Sequence, residues 1–252
     1  MEAKKFRIKE NIHLTEKLYL LELEGNLKTS PSPGQFVHIK IEPFFLRRPF
    51  SVAGYRDNCL KLLYRVAGRA TEALTGKQAG EFIDVIGPLG NGFPVSDKWE
   101  KIYLAGGGTG IAPLLFLSEF LVKKDITFFY GARSIDCIAF NILTYGVNYI
   151  FSTDDGSYGH KGLLPDVIKR YIKKDCLPDV IYAGGPYEML KAIDRISQNY
   201  KIPAFVSMEN RMACGTGLCY GCVTKIKNKK GWEYKRVCKD GPVFSSEEVL
   251  WE

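Results

Sequence analysis

Four of the chain's seven cysteines fall close together near its end, as Cys214-x4-Cys219-x2-Cys222, with Cys238 following after fifteen intervening residues. A cysteine-, glycine- and lysine-rich segment this short cannot bury a core of its own, so it needs a metal centre or a neighbouring domain to hold its shape. The N-terminal sequence Met1-Glu2-Ala3-Lys4-Lys5 leads into no apolar signal segment, which predicts a cytoplasmic protein whose thiols stay reduced. Clustered cysteines then read as metal ligands rather than a disulfide framework. Three thiols within nine residues plus a distant fourth match a plant-type [2Fe–2S] ligand set. A structural zinc site more often draws on two separated Cys-x2-Cys pairs. Gly215, Gly217 and Gly221 let the loop wrap a cluster and aim amide N–H groups at its sulfurs. Cys59, Cys137 and Cys176 are scattered and read as buried or incidental thiols.

The rest of the chain changes style once. From Lys5 to about Val95, short strands such as Leu18–Leu23, Gln35–Ile41, Cys59–Val66 and Glu81–Ile86 are separated by Gly, Pro and Asn/Asp turns, which predicts an antiparallel barrel or sandwich. Thr71–Thr75 is the exception, a helical turn between two strands. From Trp99 onward strands alternate with helices: strands at 102–105, 126–130, 148–151 and 180–183, helices at 113–122, 164–171 and 187–199. That alternation predicts βαβ units and a parallel sheet. With 46% hydrophobic and 25% charged residues, the chain has apolar material for real cores, which excludes wholesale disorder. Its longest apolar run, Ile111–Val122, contains Pro113 and Glu119 and is too short to span a bilayer. The formal charge of +7 is concentrated between Lys225 and Lys239, where seven basic residues face the one acid Glu233. This is a local basic hairpin, solvated or facing an acidic partner, and not the footprint of a globally basic nucleic-acid binder.

Two further constellations carry chemistry. Ala105-Gly106-Gly107-Gly108-Thr109-Gly110-Ile111-Ala112-Pro113 sits between a strand and a helix, where a pyrophosphate could approach the backbone and the helix N-terminus. Ile111 replaces the third glycine of a strict dinucleotide fingerprint, and the next strand ends in Arg133 rather than an acid, so the run can equally be a tight turn. The second is Arg48-Pro49-Phe50-Ser51 with Leu63-Tyr64-Arg65 and Gly68-Arg69-Ala70-Thr71. An arginine and a serine can clamp a diphosphate or bond a flavin ring, and an aromatic can stack on it. Taken alone, these residues are equally ordinary strand and turn residues.

Together, Arg-x-x-Ser, Gly-x-x-Thr, Gly-Gly-Gly-Thr-Gly-Ile-Ala-Pro and the cysteine tail with its run Arg236-Val237-Cys238-Lys239-Asp240-Gly241-Pro242-Val243-Phe244 resemble the ferredoxin–NADP reductase superfamily. Within it, the whole chain resembles the electron-transfer subunits of NAD-linked (class 1B) dihydroorotate dehydrogenases. The resemblance implies a multidomain β + α/β fold: an antiparallel β-barrel FAD domain (1–97), a doubly wound parallel-sheet NAD domain (98–204) and a small [2Fe–2S] domain (205–252). It implies that Arg48, Pro49, Phe50, Ser51, Leu63, Tyr64 and Arg65 hold the flavin, and Gly68, Ala70 and Thr71 its phosphates. Gly106, Gly107, Gly108, Thr109 and Gly110 would take NAD, and Cys214, Cys219, Cys222 and Cys238 the cluster. The implied partner is an FMN-containing catalytic subunit that oxidises dihydroorotate in pyrimidine synthesis, in a heterotetramer of two subunits of each kind, with neither nucleic acid nor membrane involved. Two departures stand out. Ala70 occupies a position where glycine is usual, and Gly184 in Ala183-Gly184-Gly185-Pro186 stands where a cysteine commonly lies near the nicotinamide. Alternative readings are a subunit of a ferredoxin:NADP or sulfide-linked oxidoreductase, and a zinc-stabilised nucleic-acid-binding module.

Overall fold

The computed structural model describes residues 3–174 and 177–252. Cys176 lies outside the described residues; Cys59 is half-buried and Cys137 exposed.

The first part is a closed barrel. Its strands are β1 (Lys4–Thr15), β2 (Leu18–Glu24), β3 (Phe36–Lys40), β4 (Arg48–Arg56), β5 (Cys59–Arg65) and β6 (Phe82–Leu89), in the order β1-β2-β5-β4-β3-β6. All pairings are antiparallel, as the short connections allow. Successive residues alternate between barrel interior and exterior: Val37 and Ile39 of β3 point into the barrel core, whereas Phe36 packs outside it. The helix expected near Thr71–Thr75 is α1 (Arg69–Thr75), whose Ala70 and Leu74 close one end of that core.

The second part is a sheet of seven strands. It contains β7 (Lys101–Gly107), β8 (Asp125–Ala132), β9 (Asn148–Thr153), β10 (His160–Lys161), β11 (Val180–Gly184) and β12 (Ala204–Ser207), all mutually parallel. Helix α2 (Ala112–Phe120) covers one face, packing on Ile102, Leu104 and Tyr182. Helices α3 (Leu164–Lys174) and α4 (Tyr187–Tyr200) cover the other, against Tyr103, Ala105 and Ile181. Period-two alternation along β7 thus serves both helical layers. Pro113 fits the first turn of α2, where its missing N–H has no helical partner to lose. The sheet order β10-β9-β8-β7-β11-β12 reverses direction between β7 and β11, a topological switch point. The barrel and sheet share a wall, because Phe116 of α2 inserts into the barrel's apolar cluster.

The cysteine-rich tail gets its neighbour from both parts. After the hairpin β13 (Val223–Asn228) and β14 (Gly231–Arg236), strand β15 (Val243–Ser245) pairs antiparallel with β12 and completes the sheet. Cys222, Ile226, Val237, Cys238 and Phe244 join the core shared with α3 and α4. On the barrel side, Asn91 donates its backbone N–H to the Gly241 carbonyl at 2.6 Å and its side-chain amide to the Asp240 carbonyl at 3.0 Å. Among the described residues no helix is long and apolar enough to cross a membrane.

Candidate cofactor cleft and cysteine loop

The barrel, the sheet and the segment leading into the tail meet at a cleft of about 270 Å³. Pro49, Phe50 and Ser51 of β4 and Leu63 and Arg65 of β5 line its barrel side, and Thr109 comes from the glycine run. Phe36 and Ala67 also line it, and the remaining wall is Ser207, Met208, Glu209, Asn210 and Met212, with Pro242. Six residues singled out in the sequence thus converge here, although they lie in three separate stretches of chain.

The others take different places. Arg48 opens β4 and donates Nη1 to the carbonyls of Leu46 (2.6 Å) and Arg47 (3.2 Å), leaving much of its five-donor fork for an anion. Tyr64 points away from the cleft: it is buried in the barrel core, bonds Asn11 Oδ1 at 3.0 Å and stacks on Tyr19. Its neighbours Leu63 and Arg65 face the cleft because a strand alternates sides. Ala70 is likewise buried in the barrel core. The Thr71 hydroxyl accepts the amides of Ala67 (2.9 Å) and Gly68 (3.1 Å) and so fixes the turn before α1. A Cβ built on Gly68 meets nothing within 4 Å, so this turn is open to solvent or ligand.

In the glycine run, Gly106, Gly107 and Gly110 are buried, and only Gly108 and Thr109 reach the surface. The tightest approach in this run is between the turn that opens α2 and the end of β11. A Cβ on Gly110 would lie 2.3 Å from the Gly184 carbonyl carbon and the Gly185 amide, and one on Gly184 would lie 2.3 Å from the Gly110 carbonyl oxygen. The glycine at 184, which departs from the cysteine common there, is therefore the residue this backbone contact admits.

Backbone amides approach three of the four cysteine sulfurs. The Cys219 amide is 3.4 Å from Cys214 Sγ, and the Cys238 amide is 3.4 Å from Cys222 Sγ. The amides of Thr216 and Gly221 also point at Cys214 Sγ and Cys219 Sγ, each at 3.4 Å. Amides aimed at sulfur are what a thiolate cluster requires to hold its negative charge. Their effect is visible at Cys214: burial pushes its thiol up, but the donated amides of Thr216 and Cys219 outweigh that and bring it down to about 6. At Cys238, burial and the adjacent Cys222 sulfur push the thiol up to about 12. Among the described residues no three His, Cys, Asp or Glu side chains converge on a single-ion site. Four thiols from one loop and its neighbouring turn, with amides aimed at three of the sulfurs, are the donor set of a [2Fe–2S] cluster. Arg236 bolts the loop down: it forms a bidentate pair with Asp240 (2.9 and 3.1 Å), donates to the Gly217 carbonyl at 3.1 Å and lies over the Tyr220 ring.

Glu209 and the rest of the wall at 207–212 escaped the sequence reading. Glu209 is open to solvent yet surrounded by protein, and the resulting desolvation raises its carboxyl above the usual range, with Arg65 pulling the other way. The legible signal was an acid and two methionines immediately ahead of the cysteine loop.

Comparison with known proteins supplies the family. The profile described as the iron-sulfur cluster binding domain of dihydroorotate dehydrogenase B matches residues 209–250. Over 248 residues, covering 98% of each chain, the sequence is 36% identical to the dihydroorotate dehydrogenase B (NAD(+)) electron transfer subunit of Caldanaerobacter subterraneus subsp. tengcongensis. A Geobacillus subunit of the same name is 38% identical over 99% of both chains. The chain belongs to this family. Among solved structures, an NADH-dependent reduced ferredoxin-NADP oxidoreductase superposes with a TM-score of 0.87 at 28% identity, over 98% of this chain and 90% of that one. A ferredoxin NADP+ reductase from Neisseria gonorrhoeae with bound FAD and NADP shares the fold at a TM-score of 0.66 and 18% identity, over 79% of this chain and 92% of that one. The family's oxidoreductase subunits carry electrons, and the barrel, parallel sheet and cysteine tail of this chain are the architecture of that task.

Proposed function

We propose that the chain is the electron-transfer subunit of an NAD-linked dihydroorotate dehydrogenase, taking electrons from a dihydroorotate-oxidising, FMN-containing catalytic subunit and delivering them to NAD⁺ in pyrimidine synthesis. The observation that carries this reading is the cleft itself. One wall is the flavin-type strand, one is the exposed end of the glycine run, and the third, 207–212, runs directly into Cys214. This lining supports a flavin site, a nicotinamide site and a thiol cluster set side by side.

The division 1–97, 98–204 and 205–252 assigns one cofactor to each part. Pro49, Phe50, Ser51, Leu63 and Arg65 hold the flavin in the cleft, and the peptide of Tyr64 contributes from β5 while its ring packs the barrel. Arg48 and the turn Gly68–Thr71, with Ala70 anchoring it, receive the diphosphate. Gly106, Gly107 and Gly110 shape the switch point so that Gly108 and Thr109 can meet NAD. Cys214, Cys219, Cys222 and Cys238 ligate the [2Fe–2S] cluster. When bound, these groups supply one-electron exchange on the cluster side and hydride exchange on the nicotinamide side, which no side chain here can perform. The protein's part is to orient them and keep water from the cleft.

Leu218 is 83% exposed beside the exposed Cys219 and Tyr220, and this apolar rim is the docking face for the catalytic subunit, in a cytoplasmic assembly of two subunits of each kind. The reading is tested by mixing the chain with an FMN-containing dihydroorotate-oxidising subunit and following NADH at 340 nm. Dihydroorotate-dependent NADH formation that requires both proteins supports it. NADPH formation from NADP⁺ that instead requires reduced ferredoxin would favour the second reading, a ferredoxin:NADP oxidoreductase subunit, which the 28%-identical oxidoreductase raises.

A further inference from the structure

His38 is completely buried, and neither of its ring nitrogens has a hydrogen-bond partner. Such a group is costly, because a neutral imidazole always carries one N–H donor and one acceptor.

Its position gives the orphaned ring a purpose. His38 lies on β3 directly opposite Pro49 of β4, and its ring meets Phe36, a residue of the cleft, edge-on at 6.2 Å. It shares the outer face of the barrel with Phe36, and the cysteine loop covers that face. The loop sits so close that a Cβ on Gly215 would lie 2.5 Å from His38 Nδ1 and 2.6 Å from Cε1. Gly215 has φ of +67°, so the turn that follows Cys214 is moulded on the imidazole. The same turn brings the Cys214 backbone to the ring, where it acts as an acceptor favouring the ring N–H, while neither ring nitrogen completes a hydrogen bond.

We propose that His38 is a positioning residue for the cysteine loop: its Nδ1–H bonds the Cys214 carbonyl when the loop closes on its cluster, fixing the Cys214–Gly215 peptide and tying the first thiol ligand to the flavin-side strands. The proposal rests on the iron–sulfur reading above. It goes beyond that reading by giving a barrel residue, remote in sequence from every cysteine, control over how the cluster is seated.

The test uses the holoprotein. Iron and acid-labile sulfide are measured first in the wild type; their absence would overturn the cluster reading itself, independently of His38. Iron release to a ferrous chelator is then compared in wild type, His38→Met and His38→Gln, with bound FAD as the control for barrel integrity. His38→Met removes the donor and should release iron about tenfold faster with FAD retained, the loss expected for one buried hydrogen bond. His38→Gln keeps an N–H donor and should recover most of the wild-type rate, which a packing role alone would not produce. Equal release from Met and Gln variants, or wild-type release from both, overturns the proposal. If the variants do not fold, the ring tautomer decides in the wild type. The chain has three histidines, and ring-nitrogen NMR shifts of ¹⁵N-histidine-labelled oxidised holoprotein should show His38 as the Nδ1–H tautomer. The Nε2–H tautomer would overturn it.

Discussion

Replacing Gly184 by alanine, or by the cysteine that the superfamily commonly has there, probes the backbone contact that shapes the proposed nicotinamide side. The added Cβ would stand 2.3 Å from the Gly110 carbonyl oxygen and 3.2 Å from its carbon. Both obstacles are backbone, so no side chain can rotate away. Gly184 pairs with Gly106 in the β7–β11 ladder, and Gly110 belongs to the turn that opens α2, so relief requires one strand end to move by close to 1 Å. Overpacking of this kind costs about 1–3 kcal/mol, and a backbone obstacle places this case near the top of that range. For a chain of this size, about 2–3 kcal/mol corresponds to a fall in Tm of roughly 4–12 °C. The displaced turn carries Thr109, so the KM for NADH should rise while bound FAD is unchanged. Differential scanning calorimetry and steady-state reduction of a dye by NADH read both effects. A variant melting within about 1 °C of wild type with an unchanged KM would refute the argument, because the two glycines would then not be in the contact described.

Cys219→Ser should lose the cluster yet keep FAD, so dihydroorotate-dependent NADH formation falls to background while NADH-to-dye activity persists; retained coupled turnover would contradict the assigned ligand. Phe116→Ala empties a site where α2 enters the barrel core and should cost about 3–5 kcal/mol, read by urea denaturation. Arg236→Ala removes the contacts to Asp240 and Gly217 and should speed iron loss to a chelator, whereas Lys229→Ala, on the exposed hairpin turn, should not. Glu209 has a raised carboxyl pKa, so its ionisation in the folded chain opposes folding once the pH is above the ordinary glutamate range. Glu209→Gln should therefore raise Tm at pH 8, and the gain should vanish near pH 4; a gain of equal size at both would contradict this.

The barrel, the parallel sheet and the iron–sulfur tail were legible because each is written locally. Alternation and turn residues mark β2 and β5, apolar runs between glycines mark β7 and β8, and the cysteine spacing needs only the tail. Side-chain direction within a motif was less so. The Leu63-Tyr64-Arg65 triplet reads as one unit, but the pleat sends Tyr64 into the barrel and its neighbours to the cleft. The glycine run reads as a phosphate cradle, yet Gly106 and Gly107 pack against Ile111 and Met189, and Gly110 against Gly184. His38 and Glu209 were invisible for a common reason. Their surroundings come from contacts more than a hundred residues away, His38 against Gly215 and Glu209 near Arg65, and no local pattern records such a meeting.

A chain that holds a flavin, a two-iron cluster and a working nicotinamide site must pass electrons from NADH to both coloured centres. An anaerobic visible spectrum of the purified protein, recorded before and after NADH, tests it most directly. Flavin and iron–sulfur bands that both bleach with NADH are the expected result. A protein prepared with ample iron and flavin that shows neither band, or whose bands bleach with dithionite and not with NADH, would contradict it.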